Sequence, residues 1–392
     1  MTYPLVEAGE LMARRNGSVD PSKFKDELFE LHSIPAFDAG QPELLLGSQI
    51  GSSKQIVQPG DVMISKIVPH IRRSSVVGSS TDARQIASGE WIVFRSERIF
   101  PNYLRHVLIS DQFNARFMAT VSGVGGSLLR ARPAEVAKIK ISLPPLPEQR
   151  RIAAILDKAD GLRAKRREAI ARLDLLLQSV FLQATADKAY EAISIGELLE
   201  RKILLLHKDG NHGSQYPRKE EFGIEGIPFF SAKNLLDDGR IEMNEIQRLG
   251  EIKARQLKIG WIEAGDVLLA HNASVGKVAL YRGEFEKALI GTSLTAYRPN
   301  KEFLRSEFLF MALRSSEFQR NLTKDMSQTT RNQVPITAQR RLTVRIPPID
   351  VQDKIVQAVA TLTKQKEKYM RHEASLNSLF LSLQESAFTG AL

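Results

Sequence analysis

The residues able to do chemistry are scattered. Seven histidines, His32, His70, His106, His207, His212, His271 and His372, form no metal-ligand spacing. His207 and His212 stand five apart in a Gly/Asn-rich loop, which is a weak metal signal. The chain has no cysteine, so disulfides and thiolate metal sites are excluded. No glycine-rich phosphate loop or dinucleotide fingerprint follows a strand pattern. Ile346-Pro347-Pro348-Ile349 has the prolines of an amino-methyltransferase tetrapeptide but lacks the polar first residue that would hold the amine. Glu251-Ile252-Lys253 fits the tail of a nuclease motif, yet a charged chain this long contains such triplets by chance. Pro59-Gly60-Asp61-Val62 reads as a tight turn into a strand, with a structural acid. We therefore expect no catalytic residue and no metal.

Polar loops carry more information. In the second half, His207 to Tyr216 puts small, polar and aromatic groups in one loop, Ser231-Ala232-Lys233-Asn234 follows an Ile-Pro-Phe-Phe run, and Gln328 to Gln333 precedes the last strand pattern. Arg, Asn and Gln pair with base edges in the major groove, while Ser, Thr and Lys hold phosphates. The candidate nucleic-acid contacts there are Lys208, Asn211, His212, Gln215, Tyr216, Lys233, Asn234, Arg331 and Asn332. In the first half they are Lys66, His70, Arg72, Arg73, Arg130 and Arg132, the last two beside the loop Ser122 to Ser127. Taken singly, each also fits a solvated surface loop.

The elements that must position these loops occur twice. Ile141 to Ile152 and Val344 to Ile355 each carry a strand-like run, Pro-Pro, then Gln and Ile at the start of a long helical pattern, 203 positions apart. Pro-Pro continues neither a ladder nor a helix interior. Upstream, Gly9-Glu10-Leu11 answers Gly196-Glu197-Leu198, Pro59-Gly60-Asp61-Val62 answers Ala264-Gly265-Asp266-Val267, and Phe94-Arg95 answers Tyr297-Arg298. One ordered series with drifting offsets is what loop insertions in a repeated domain produce. Short β-prone runs at Val62–Ile67, Trp91–Phe94, Ile139–Leu143, Val267–Ala270, Leu294–Tyr297 and Leu342–Ile346 predict strands, with one helix per repeat over Pro101–Phe117 and Leu304–Leu322.

The long helical patterns read as coiled-coil seams. One row is Ile152, Ala159, Arg166, Leu173 and Val180; the second is Ile155, Leu162, Ala169, Leu176 and Gln183. In the other copy the rows are Ile355, Leu362, Tyr369, Leu376 and Leu383, and Ala358, Gln365, His372, Leu379 and Ser386. A helix of this length exceeds one compact domain, so its natural partner is its copy.

Length, 392 residues, allows two or three domains, and 43% apolar residues supply real cores. A net charge of +10 and a pI near 9.6 favour a polyanionic partner. No signal-like N-terminus and no apolar run of membrane-spanning length is seen.

With these motifs in hand, the chain resembles the specificity subunit of type I restriction–modification systems along essentially its whole length. The resemblance rests on Ser33-Ile34-Pro35-Ala36-Phe37-Asp38, Val57 to Val62, Asp209-Gly210-Asn211-His212-Gly213 with Gly226-Ile227-Pro228-Phe229, both Pro-Pro helix starts, and the final Ala387-Phe388-Thr389-Gly390. The first long helix ends in Phe181-Leu182-Gln183-Ala184, without the Phe-x-Gly of its copy.

The resemblance implies an α+β chain with two tandem strand-rich target-recognition domains separated by two long antiparallel coiled-coil helices, a pseudo-two-fold internal repeat. The expected boundaries are 1–146 and 188–349 for the recognition domains, and 147–187 and 350–392 for the spacer helices. The chain would be the non-catalytic subunit of a DNA adenine methyltransferase/endonuclease complex. It would read a bipartite, asymmetric site on double-stranded DNA and dock two methyltransferase subunits, with restriction subunits as further partners. It would itself bind no cofactor; S-adenosylmethionine, ATP and Mg belong to those partners. It would act in the cytoplasm of a bacterial or archaeal cell, away from membranes. Two other classes stay open: a coiled-coil interaction protein without a DNA role, and a stand-alone DNA methyltransferase or nuclease.

Overall fold

Two prolines set where each long helix can begin. In the computed structural model the helices run Leu146–Thr185 and Ile349–Thr389. Each follows a Pro-Pro step and carries an acid in its first turn, Glu148 or Asp350, against the positive helix end. A buried glutamine locks each start. Gln149 Nε2 donates to the carbonyls of Pro144 (2.8 Å) and Arg98 (2.9 Å), and its Oε1 accepts the Phe100 N–H (2.7 Å). Gln352 repeats this with the carbonyls of Pro347 and Phe303 (both 2.9 Å) and the Arg305 N–H (2.9 Å). The structure describes residues 3–14, 16–79, 82–123, 129–185, 190–210, 212, 216–327 and 333–392.

The chain forms two compact units, Met1–Glu168 with Met370–Leu392, and Ala169–Tyr369, so each long helix contributes to both. In the first unit, Ile152, Ala153 and Leu156 from the start of one helix share a core with Phe380 and Ala387 from the end of the other. In the second unit, Phe181 shares a core with Ile355. Within each unit the helices therefore run antiparallel.

The first predicted seam row faces inward in both helices, from Ile152 to Val180 and from Ile355 to Leu383. The second row does not: Leu162, Leu176 and Leu379 are 48%, 45% and 52% exposed. The inward second row lies one residue later, at Leu156, Arg163, Ile170 and Leu177, and at Val359, Lys366, Glu373, Phe380 and Ala387. It escapes a hydrophobic reading because long basic side chains pack by their stems. Arg163 lies over the Phe380 ring at 4.2 Å and donates to Asn377 Oδ1 at 2.7 Å. Lys366 pairs with Asp174 at 2.5 Å.

In the first unit a three-stranded sheet, Ser74–Val76, Val62–Ser65 and Trp91–Phe94, packs Val62, Ile64, Ile92 and Phe94 on the long helices and on Pro101–Leu108. Its other face, through Met63, Trp91 and Val93, meets Ile34, Val57 and Ala87. A five-stranded sheet follows the order Ser18–Val19, Lys54–Ile56, Arg84–Ala87, Leu28–His32, Glu43–Leu46. Only its Leu28–His32/Arg84–Ala87 pair is parallel. A two-stranded ladder, Leu5–Glu7 with Lys140–Ser142, ties the chain start to the segment before the helix.

The second unit repeats this plan. Val278–Leu280, Val267–Ala270 and Leu294–Pro299 form the matching sheet, extended by Leu204–Asp209. The other sheet orders Phe222–Gly223, Gln247–Leu249, Ile227–Phe230, Ala288–Ile290 and Trp261–Ile262, again with one parallel pair, Phe229 beside Leu289. The tie ladder is Ala192–Ser194 with Thr343–Arg345. The single helix predicted per repeat is two in each unit, because a serine caps a second one. Ser110 Oγ accepts the Phe113 N–H and Ser315 Oγ the Phe318 N–H.

The repeated Asp and Arg meet. Asp61 is buried and takes a bidentate bond from Arg95 (2.7 and 2.5 Å); Asp266 takes the same from Arg298 (2.7 and 2.7 Å). Each acid also accepts an N–H of its own turn, from Gln58 or Glu263. The acid is structural, as its turn context implies. Removing one partner would leave a buried charge unpaired. Arg298→Met should cost about 3 kcal/mol, read as faster hydrogen exchange across Val267–Ala270 and Leu294–Pro299, and adding Asp266→Asn should recover part of it.

Candidate nucleic-acid interface

In each unit the polar loops converge on the short link between its two sheets. In the first unit this link is Ser88–Glu90: the Ser88 N–H donates to the His32 carbonyl, and the Lys66 N–H to the Glu90 carbonyl (both 3.0 Å). In the second it is Gly291–Ser293: the Gly291 N–H donates to the Phe230 carbonyl (2.8 Å), and the His271 N–H to the Ser293 carbonyl (3.1 Å). The strand-end loop then turns through a left-handed residue, Val68 at φ 46° and Ala273 at φ 64°. Neither residue is glycine, and valine resists this region most, so both units hold strain at the same place. A returning segment bridges the loop, Arg130 to Ile67 and Gln333 to Asn272. The Ala131 N–H then reaches the Lys66 carbonyl (2.8 Å), and the Val334 N–H the His271 carbonyl (2.9 Å).

This frame decides which expected residues can reach a ligand. Lys66 is half-buried at the seat of the first unit, and His70 is exposed on its loop. Arg130 is exposed and leans on Glu90 at 3.3 Å; Arg132 is exposed and donates Nε to the Thr120 carbonyl. Arg72 is held by Asp111 (2.5 Å) and the Ile109 carbonyl. Arg73 is buried and clamps Asp38 with two bonds (2.7 and 2.9 Å), so its side chain anchors the loop.

In the second unit Lys208 and Lys233 are exposed, and His212 bonds Asp209 at 2.7 Å. Tyr216 stands edge-on to Phe229. Asn234 is buried and accepts the Ser231 N–H (2.9 Å), so it shapes the Ser231–Asn234 turn. The Ala232 N–H pins that turn to Ser293 Oγ (2.9 Å). Gly210 has no room for a side chain: a Cβ would lie 2.3 Å from the Ile290 carbonyl oxygen. Asn211, Gln215, Arg331 and Asn332 lie outside the described residues.

Sequence reasoning missed His271, Asn272 and Gln333 as site residues, the counterparts of Lys66, Ile67 and Arg130. The signal was present in the drifting 203–205 offset, which aligns them once the strand registers are known. Among the described residues no group of three or more His, Asp or Glu side chains could hold a metal, and no helix is long and apolar enough to cross a membrane.

Comparison with known proteins follows this duplication. The model of the type I restriction modification DNA specificity domain matches residues 46–172 and again 212–374, well over half of the chain. The chain belongs to the type I restriction–modification specificity family. It is 27% identical over 207 residues to a putative type I restriction enzyme MjaX specificity subunit of Methanocaldococcus jannaschii, covering 48% of this chain and 47% of that one. It is 22% identical to the MjaVIII specificity subunit of the same organism, covering 62% and 61%. The chain thus spans about half to three-fifths of the length of these curated relatives. Among solved structures, one from work on complex assembly and conformational transition of a type I R-M system aligns at TM-score 0.61 and 22% identity, covering 100% of this chain and 98% of that one. The S subunit from M. genitalium aligns at TM-score 0.57 and 13% identity, covering 98% and 96%. These structures share the fold of this specificity-family chain.

Four histidines of the chain are buried, and burial pushes His32, His106, His207 and His271 below their ordinary range. His207 falls to about 4, mainly by burial. A histidine whose folded pKa is depressed keeps its full contribution above its unfolded pKa of 6.5 and loses stability as pH falls toward 4, because the unfolded chain then binds more protons. The loss from His207 is of order 3 kcal/mol. Urea midpoints measured from pH 7 to pH 4 should fall across that window, and His207→Gln should flatten the fall.

Proposed function

We propose that this chain is the sequence-reading subunit of a type I restriction–modification complex, binding a bipartite, asymmetric site on double-stranded DNA. One observation carries the reading. A single frame is written twice, and at the same seat it presents Lys66 and Arg130 in one unit but His271, Asn272 and Gln333 in the other. A conserved frame with unlike tips is what two different half-sites require. Side chains that donate to phosphate and guanine stand in the first unit; amides that match adenine edges stand in the second.

The chemistry then belongs to the partners. Methyltransferase subunits, two by the duplication, bring S-adenosylmethionine; restriction subunits bring ATP and Mg. The setting is the bacterial or archaeal cytoplasm.

Co-expressing the chain with the methyltransferase subunit from its own locus and mapping methylated adenines genome-wide should yield a two-part motif with unlike halves. A motif with one part, or two identical parts, would refute the reading. In the same assay, a chain with one added turn in each long helix, about 6 Å for four residues, should lengthen the spacer by one or two base pairs. In a binding titration of the assembled methyltransferase, Lys66→Ala with Arg130→Ala should lower the salt slope by about two. An unchanged slope would remove both from the contact set.

A further inference from the structure

One core layer is polar in the second unit where it is apolar in the first, and the ladder registers allow a comparison position by position. Val62 faces Phe94 and Ile64 faces Ile92 in the first unit; Val267 faces Tyr297 and Leu269 faces Thr295 in the second. Met12 bridges Phe94, and His207 pairs with Tyr297. The short helices Pro133–Val136 and Ile336–Gln339 supply the last pair, Val136 and Gln339. Each is followed by a carbonyl, of Ala137 or Arg340, that accepts a glycine N–H of the N-terminal turn. So Phe94, Ile92, Met12 and Val136 are replaced by Tyr297, Thr295, His207 and Gln339.

The replacement forms a hydrogen-bonded network centred on Gln339, in which one buried nitrogen, His207 Nδ1, has no partner. Gln339 is fully buried and fills all four hydrogen-bonding positions of its amide. Its Oε1 accepts from the Tyr297 hydroxyl (2.6 Å) and from His207 Nε2 (3.2 Å). Its Nε2 donates to Thr295 Oγ1 (3.0 Å) and to the Val334 carbonyl (2.9 Å). Four apolar side chains serve the same fold in the first unit, and buried polar groups at best balance their desolvation. Folding alone does not explain the network; what such networks supply is a fixed geometry.

That geometry leads to the loop tip. Gln339 holds Val334, whose N–H holds the His271 carbonyl (2.9 Å), and the His271 N–H is anchored on Ser293. His271 is 6% exposed, and neither ring nitrogen has a hydrogen-bond partner in good geometry. The next residue, Asn272, is exposed. Its Oδ1 accepts the N–H of left-handed Ala273 (2.8 Å), which fixes the amide plane at the tip of a strained turn. An asparagine held this way presents one acceptor and two donors outward, the pattern that pairs with an adenine edge.

We propose that Asn272 is a specificity-determining contact to an adenine in the half-site read by the second unit, and that the Gln339–His207–Tyr297–Thr295 network is the positioning device that holds it. The inference rests on the DNA-reading function above. It is tested with the assembled methyltransferase by mapping methylated adenines for three chains. Asn272→Ala should relax one position of one half-site, raising methylation at sites altered there about tenfold, and leave the other half-site unchanged. The quadruple change His207→Met, Thr295→Ile, Tyr297→Phe, Gln339→Val installs the first unit's residues. It should melt no lower than wild type and relax the same position. Tyr297→Phe alone removes one hydroxyl, should relax that position partially, and decides the positioning role if the quadruple chain does not fold. A network with a merely structural role would shift the melting temperature and leave the motif intact. If Asn272→Ala keeps the wild-type motif, or only it relaxes the motif, the proposal is overturned in its contact or its positioning half respectively. If the wild-type complex methylates no two-part site, it is the function itself that fails.

Discussion

A buried glutamine at the foot of each long helix is the interaction on which the architecture turns. Gln149 and Gln352 each join a Pro-Pro carbonyl, a loop carbonyl and a loop N–H. The prolines leave backbone carbonyls without a helical partner, and the helix start faces a loop with an orphan donor. One amide satisfies both sides. Each strand-rich unit is thereby fixed to the beginning of its long helix rather than merely tethered to it.

On that anchored frame, conservation of geometry and divergence of side chains are separated cleanly. The Asp–Arg clamp, the tie ladder, the parallel strand pair and the left-handed loop residue recur in both units. What differs lies at the loop tips and in the layer directly beneath them. Lys66 and Arg130 stand over an apolar layer; His271, Asn272 and Gln333 stand over a hydrogen-bonded one. The loop-tip residues can differ without a change of fold, because the bonds that seat the loops are backbone ones in both units.

The long helices show a related division. Their inward rows mix aliphatic residues with Arg163, Lys366 and Glu373, while several leucines face outward. Polar seam residues carry directional bonds, Arg163 to Asn377 and Lys366 to Asp174, which fix register more sharply than apolar packing does.

By itself the sequence determined that one module occurs twice, that each copy joins a strand-rich part to a long helix beginning at Pro-Pro, and that Asp61 and Asp266 serve structure. These are readable because proline, glycine and hydrophobic periodicity act locally, and because duplicated motifs are seen without knowing their contacts. Only the tertiary structure decided which seam row is buried, since a one-residue shift turns on whether the stem of Arg163 or the side chain of Leu162 faces the partner helix. Only it separated Arg73 and Asn234, bound within the frame, from the half-buried Lys66 and the exposed Lys208 and Lys233. It also fixed the pairing of His271 with Lys66 and of Gln339 with Val136, which the repeat offset suggests but which rests on strand register and on backbone hydrogen bonds between segments far apart in the chain.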